Sequence, residues 1–288
     1  MLIQARDLGY TYAPHTPLAR VALRDVTLEI RPGQRVGVLG PTGSGKSSLV
    51  QLLAGLLKPT VGQVLLDGVP AHARRSAATV LRRRIGFAFQ NPESQIFERT
   101  VSREVAFGPS HLGLSAAEVA RRVQWALEMV GLNGQEVSER VPFTLSGGEM
   151  RRVGLASVLA MQPEVLILDE PSAGLDPRGR RDLLGRILEW QCQAGFTLIV
   201  VSHDQDQLAR LAERVVLLAD GALVADGPVR QVLSDAEQLH ALGLDVPQPV
   251  AVLCGLRAAR WQVRTDRLLP EQAVTEILGA CRPQGGAA

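Results

Sequence analysis

The sequence predicts an α/β layered fold around a sheet buried on both faces, and three observations point there. Short apolar runs at 26–30, 36–39, 64–66, 85–89, 165–168, 197–201 and 215–218 read as strands. They alternate with helical segments near 46–57, 115–130, 147–160, 178–193 and 205–213. Several of the strand runs carry no polar residue, as expected where helices cover both faces of a sheet. The third observation is what stands at the strand ends: a glycine-rich loop after 35–39, and two adjacent acids after 165–168.

Taken in order, the chain opens on Met1-Leu2-Ile3-Gln4-Ala5-Arg6-Asp7, too early interrupted by charge to read as a secretory signal. No run reaches the ~18 to 20 continuous apolar residues of a membrane-spanning helix. Any membrane part is therefore expected from other chains. Aromatics make up only 4% of residues, so the core must rest on Val, Leu, Ile and Ala. A net charge of +2 gives no reason to expect nucleic acid; the cluster Arg82-Arg83-Arg84, with Arg74 and Arg75, reads as a solvated helix face. Cys192, Cys254 and Cys281 are odd in number and lack metal-ligand spacing, which suits a reducing compartment. Near residue 235 strands cease. Residues 236–280 read as short helices joined by loops containing Pro247, Pro249 and Pro270, and 283–288 as a frayed tail.

The stretch Gly40-Pro41-Thr42-Gly43-Ser44-Gly45-Lys46-Ser47, with Ser48 after it, matches the phosphate-binding loop pattern in its proper setting, between a strand and a helix. Its glycines let the backbone curl so that successive N–H groups face one phosphate chain. The helix that follows adds its positive N-terminal end. Lys46 is expected at the β- and γ-phosphates of a nucleotide, and the Ser47 hydroxyl on Mg²⁺. Val165-Leu166-Ile167-Leu168-Asp169-Glu170 is an apolar strand ending in two acids at the sheet edge where ligands bind. Asp169 there suits Mg²⁺, and Glu170 suits the general base that activates water. An acid pair alone could equally cap a helix; the neighbouring loop motif decides for chemistry.

Leu145-Ser146-Gly147-Gly148-Glu149 precedes a helix and makes a second anion-binding helix start. It resembles the signature sequence of ABC nucleotide-binding domains, and the remaining motifs of that family follow in order. Gln90 matches the Q-loop glutamine that senses Mg²⁺ and the attacking water. Ser172-Ala173-Gly174-Leu175-Asp176 is similar to the D-loop, and His203 to the switch histidine at the γ-phosphate. Tyr12 resembles the aromatic that stacks on adenine just before the first core strand, a role Tyr10 could share. The resemblance covers residues 1–235 and departs at Glu149, usually Gln, and at Ser172, commonly Thr. It implies a P-loop NTPase fold, with a mixed sheet core and a helical subdomain at about 91–160, extended by small helices over 236–282. It further implies a head-to-tail dimer with ATP between the phosphate loop of one subunit and Ser146, Gly147, Gly148 and Asp176 of the other.

Gln90-Asn91-Pro92-Glu93-Ser94-Gln95-Ile96-Phe97, Thr100-Val101 and Val105-Ala106-Phe107-Gly108-Pro109 resemble the ATPases of energy-coupling-factor importers, including the cobalt and nickel type. So do Tyr12-Ala13-Pro14-His15-Thr16-Pro17-Leu18, Met150-Arg151-Arg152-Val153 and Leu242-Gly243-Leu244-Asp245-Val246-Pro247. That resemblance implies a second ATPase, identical or related, a membrane T component and a substrate-binding S component, at the cytoplasmic face of the membrane. Glu93 is the acid expected to meet arginines of the T component. The A versus A-prime identity stays open, because the N-terminal loop resembles one and Asn91 the other. A soluble ABC ATPase acting on ribosomes or nucleic acid, or the ATPase of another transporter class, are the competing readings. One cassette without sustained heptads disfavours the first, and 90–109 with the C-terminal extension disfavours the second.

Overall fold

The computed structural model describes residues 1–72, 80, 83–90, 95–171 and 175–281. Arg74, Arg75, Arg82, Asn91, Pro92, Glu93, Ser94, Ser172, Ala173, Gly174 and the tail at 283–288 lie outside the described residues.

Two sheets organise the fold. The six-stranded sheet has the order β10-β9-β3-β8-β7-β6. Here β3 is Arg35–Leu39, β6 Ile85–Ala88, β7 Val165–Asp169, β8 Thr197–Val201, β9 Arg214–Ala219 and β10 Ala222–Pro228. All neighbours run parallel except β10, which is antiparallel to β9 at the edge. The four-stranded antiparallel sheet has the order β2-β1-β4-β5, from β1 (Ile3–Tyr12), β2 (Arg20–Ile30), β4 (Val61–Leu66) and β5 (Val69–Pro70).

Strand side chains alternate between two cores, because successive residues point to opposite faces. On one face Val165, Ile167, Ile199, Val201, Val216 and Leu218 pack with helix α1 (Lys46–Leu53) and the four-stranded sheet. On the other, Leu166, Leu168, Leu198, Val200, Val215 and Leu217 pack against helices. The central strands β7, β8 and β9 are apolar over most of their length because both of their faces are buried. Those helices are α2 (Val101–Ser110), α3 (Ala116–Met129), α4 (Gly134–Val137), α5 (Gly147–Leu159), α6 (Pro177–Ala194), α7 (Gln205–Leu211), α8 (Val229–Ser234), α9 (Ala236–Ala241) and α10 (Gln248–Ala258). The last helix, α11 (Pro270–Cys281), packs on α10 through a small separate cluster of Leu253, Val263 and Ala273.

Three expectations need correction. Tyr12 precedes β2, which holds the run at 26–30, but it is itself the last residue of a further strand, β1, that the apolar runs do not predict. Charges at Arg6 and Asp7 and irregular pairing with β2 break the alternation of β1. Helix α2, with Gly108 and Pro109 in its last turn, was likewise unanticipated. The helix after the phosphate loop stops at Leu53 rather than near 57. Among the described residues no helix is long and apolar enough to cross a membrane.

Candidate nucleotide-binding site

Strand order alone brings the distant motifs together. The phosphate loop leaves β3, the acid pair leaves β7, and His203 follows β8, which lies hydrogen-bonded between them. Pairing of Ala88 with Leu168 sets Gln90 just past β6 on the same edge, beside the acids. All four segments thus emerge at the C-terminal edge of parallel strands, the ligand-binding edge of such sheets.

The loop at 40–45 is held in a curl that only glycine tolerates at its ends. A Cβ on Gly40 (φ 154°) would sit 2.2 Å from the Leu218 carbonyl oxygen and 2.6 Å from Ser44 Oγ. One on Gly45 (φ 101°), the left-handed N-cap of α1, would meet the Ala22 carbonyl oxygen at 2.5 Å. Ser44 Oγ is buried with no hydrogen-bond partner among the described residues. A tight, N–H-rich loop with an orphaned buried hydroxyl fits a polyphosphate. Lys46 Nζ donates to the Gly40 and Pro41 carbonyl oxygens at 2.7 and 2.8 Å. Burial lowers the Lys46 pKa, opposed by the nearby charges of Glu170 and Asp169.

Asp169 is 5% exposed. Burial raises its pKa; a hydrogen bond from Ser47 and the charge of Lys46 pull it down, while that of Glu170 pushes it up. Ser47 and Asp169 together offer hard oxygens of the kind Mg²⁺ takes alongside phosphate. Glu170 has a left-handed backbone (φ 52°), uncommon for a residue with a side chain. Its N–H donates to the Val201 carbonyl oxygen at 3.0 Å, and its Oε1 accepts from His203 N–H at 2.9 Å. His203 Nδ1 lies 2.9 Å from the same oxygen. The two residues sequence analysis assigned to water activation and to the γ-phosphate are therefore in direct contact. Glu170 is nearly buried while the His203 side chain is 77% exposed, so the pair spans from core to surface.

Tyr12 hydroxyl and Ser48 Oγ are 2.9 Å apart, and the Tyr12 ring meets Tyr10 edge to face at 4.8 Å. Beside them lies a cleft of about 220 Å³ lined by Tyr12, Gly43, Gly45, Lys46, Ser47 and Ser48, and also by Arg20 and Ala22. These last two were missed from sequence. No motif marks them; only the register of the β1–β2 hairpin puts Arg20 opposite Tyr12. A larger cleft of about 1030 Å³, lined by α11, by residues 259–262 after α10 and by Arg230 of α8, contains none of the site residues.

Ser146, Gly147 and Gly148 do not line the phosphate-loop cleft. Ser146 instead N-caps α5. Its Oγ accepts from Glu149 N–H at 3.3 Å and donates to Glu149 Oε2 at 2.7 Å, and its N–H donates to the same carboxylate at 2.9 Å. These contacts hold the Glu149 carboxyl below the usual range, helped by the charges of Arg140 and Arg152. Asp176 caps α6 by accepting from Gly179 N–H at 3.2 Å. Arg151, one turn into α5, donates to the Gln90 carbonyl oxygen and ties that helix to the end of β6.

The description "ABC transporter" belongs to the family model that matches residues 23–173. An energy-coupling factor transporter ATP-binding protein, EcfA2, of Symbiobacterium thermophilum is 45% identical over 287 residues, 100% of this chain and 99% of its own. The protein of the same name from Clostridium perfringens is 40% identical, covering 98% of this chain and 99% of its own. Among solved structures, cbiO1 of Clostridium perfringens, part of the ABC transporter complex cbiONQ, has a TM-score of 0.71 at 33% identity, over 83% of this chain and 93% of that one. A dimeric ATP-binding cassette in a post-hydrolysis state with ADP and phosphate has a TM-score of 0.73 at 28% identity, over 79% and 98%.

Proposed function

The chain belongs to the ABC transporter family, and we propose that it is the motor of an energy-coupling-factor importer, driving uptake of a vitamin or transition-metal ion through membrane partners. Its activity is ATP hydrolysis coupled to transport. The observation that supports the residue assignments is the Glu170–His203 contact at the same sheet edge as the phosphate loop.

In this reading Gly40, Pro41, Thr42, Gly43, Ser44, Gly45, Lys46 and Ser48 cradle the phosphates, and Tyr12 takes the adenine. Ser47, Asp169 and Gln90 would hold Mg²⁺, whose charge would offset that of the β- and γ-phosphates. Glu170 withdraws a proton from the attacking water. His203, held on the Glu170 carboxylate, reaches the γ-phosphate. Catalysis is then positioning and charge stabilisation, as in phosphoryl transfer generally. Ser146, Gly147, Gly148 and Asp176 serve the nucleotide of a second ATPase across a head-to-tail dimer. Residues 1–235 form the ATPase and 236–282 an extension, peripheral to the cytoplasmic face of the membrane through T and S components.

Affinity purification from detergent-solubilised membranes tests the assembly. The expected eluate holds a polytopic membrane protein and an ATPase, this chain or a relative of it. Recovery of ribosomes or nucleic acid in place of any membrane protein would sink the importer reading.

A further inference from the structure

Lys46 is the one cation the phosphate-loop motif supplies, and the fold directs it inward. Its ammonium donates to the Gly40 and Pro41 carbonyls, and the charges facing it are those of Glu170 and Asp169. Arg20, the first residue of β2, lines the same cleft as Lys46. Register pairs Arg20 with Tyr12, and residues directly opposite in an antiparallel pair present their side chains on the same face. Arg20 Nη2 lies 3.6 Å from where a Cβ on Gly43 would stand. Tyr12 is fixed by its hydroxyl contact with Ser48, so the aromatic ring and the guanidinium flank one opening. Among the described residues the Arg20 guanidinium has no hydrogen bond or ion pair, leaving its planar fork of donors available.

From this we propose that Arg20 is a nucleotide-binding residue, its guanidinium contacting the phosphate chain from the β2 side of the cleft. A fork of N–H donors matches phosphate oxygens, and such charge-assisted contacts are stronger than neutral ones. The proposal rests on the ATPase reading above, and extends it to a residue outside the phosphate-loop and signature motifs.

Titration calorimetry on the full chain without magnesium, with ATP and ADP, tests it in the parent protein and in Arg20→Gln and Arg20→Lys. Adenosine binding is followed in parallel by ligand-observed NMR. Arg20→Gln should weaken ATP and ADP by about tenfold and leave adenosine unaltered. Arg20→Lys should fall between, because charge remains and the fork is lost. The gap between parent and Arg20→Gln should narrow as salt rises, since the contact is exposed. Arg20→Gln binding ATP as tightly as the parent overturns the proposal and leaves the ATPase reading intact. Equal weakening of adenosine and ATP also overturns it, because the guanidinium would then act on the base or on the hairpin. A parent protein that binds no ATP overturns the ATPase reading itself, and this proposal with it.

Discussion

At the scale of single residues, two buried carboxylates on adjacent positions have different partners. Glu170 Oε1 receives two donors from His203, one from the main chain and one from the ring, in the tautomer that protonates Nδ1. Glu170→Gln keeps the shape and one acceptor oxygen but removes the base. Turnover should fall by about 100-fold or more while ATP binding persists; near-normal steady-state hydrolysis would defeat the assignment. Asp169 sits in the core edge, where burial raises its pKa above the ordinary value of 3.8. A raised folded-state pKa means the folded protein holds its proton more tightly than the unfolded chain. Stability from this group is present below pH 3.8 and is lost as pH climbs through the raised value. Asp169→Asn should therefore raise the melting temperature by roughly 1–3 °C at neutral pH, with the gain vanishing in acid, while abolishing Mg²⁺-dependent hydrolysis. An unchanged or lower melting temperature at neutral pH contradicts the burial argument. Sequence spacing made the acid pair and the phosphate loop legible. The Glu170–His203 contact was not: it joins positions 33 apart, and only the placement of β8 beside β7 brings them together. Arg20 was invisible for a related reason, since no motif marks it and its place depends on a hairpin the charged N-terminal stretch concealed.

At the scale of elements, the helix starts carry both stability and chemistry. Ser146 and Glu149 form a reciprocal capping box on α5, so the usual Gln and the Glu found here satisfy the same geometric requirement. Glu adds a negative charge at the positive end of the helix. Ser146→Ala should cost about 1 kcal/mol in chemical denaturation, the usual worth of such a cap. Glu149→Gln should keep the box and lose only a few tenths of a kcal/mol after solvent screening. Because the Glu149 pKa is lowered from 4.5, its contribution is present above that value and disappears as pH falls through the depressed one. A Glu149→Gln deficit that persists at strongly acidic pH would rule out the charge as its source. The elements best read from sequence were those with both faces buried, such as β7 and β8, whose apolar runs have no interruption. Strand β10 was lost because it is half-exposed at a sheet edge and carries Gly227 and Pro228. The two-residue β5 gives no period to read.

At the scale of the whole molecule, the helices after residue 235 divide between two cores. Leu239, Val246, Val250 and Leu268 belong to the same buried cluster as Leu184, Leu208 and Leu217, so this part of the chain completes the face of the main sheet. Leu253, Val263 and Ala273 form their own small cluster with Leu256 and Ile277. A three-residue core buries too little apolar surface to resist opening by itself. Leu239 and Leu253 are both fully buried, so truncating either removes similar contacts locally. The consequences should nonetheless differ. Leu239→Ala should lower global stability by about 2–5 kcal/mol, the range for a buried leucine that leaves a cavity. Leu253→Ala should act mainly on α11, whose amides should exchange with solvent at a lower opening free energy than those of β7 or β8 even in the parent protein. Hydrogen exchange read by mass spectrometry, alongside denaturant melts of the two variants, separates these outcomes. Exchange of 270–281 in step with the central strands would mean that the terminal helix shares the main cooperative unit, and that the two clusters fold as one.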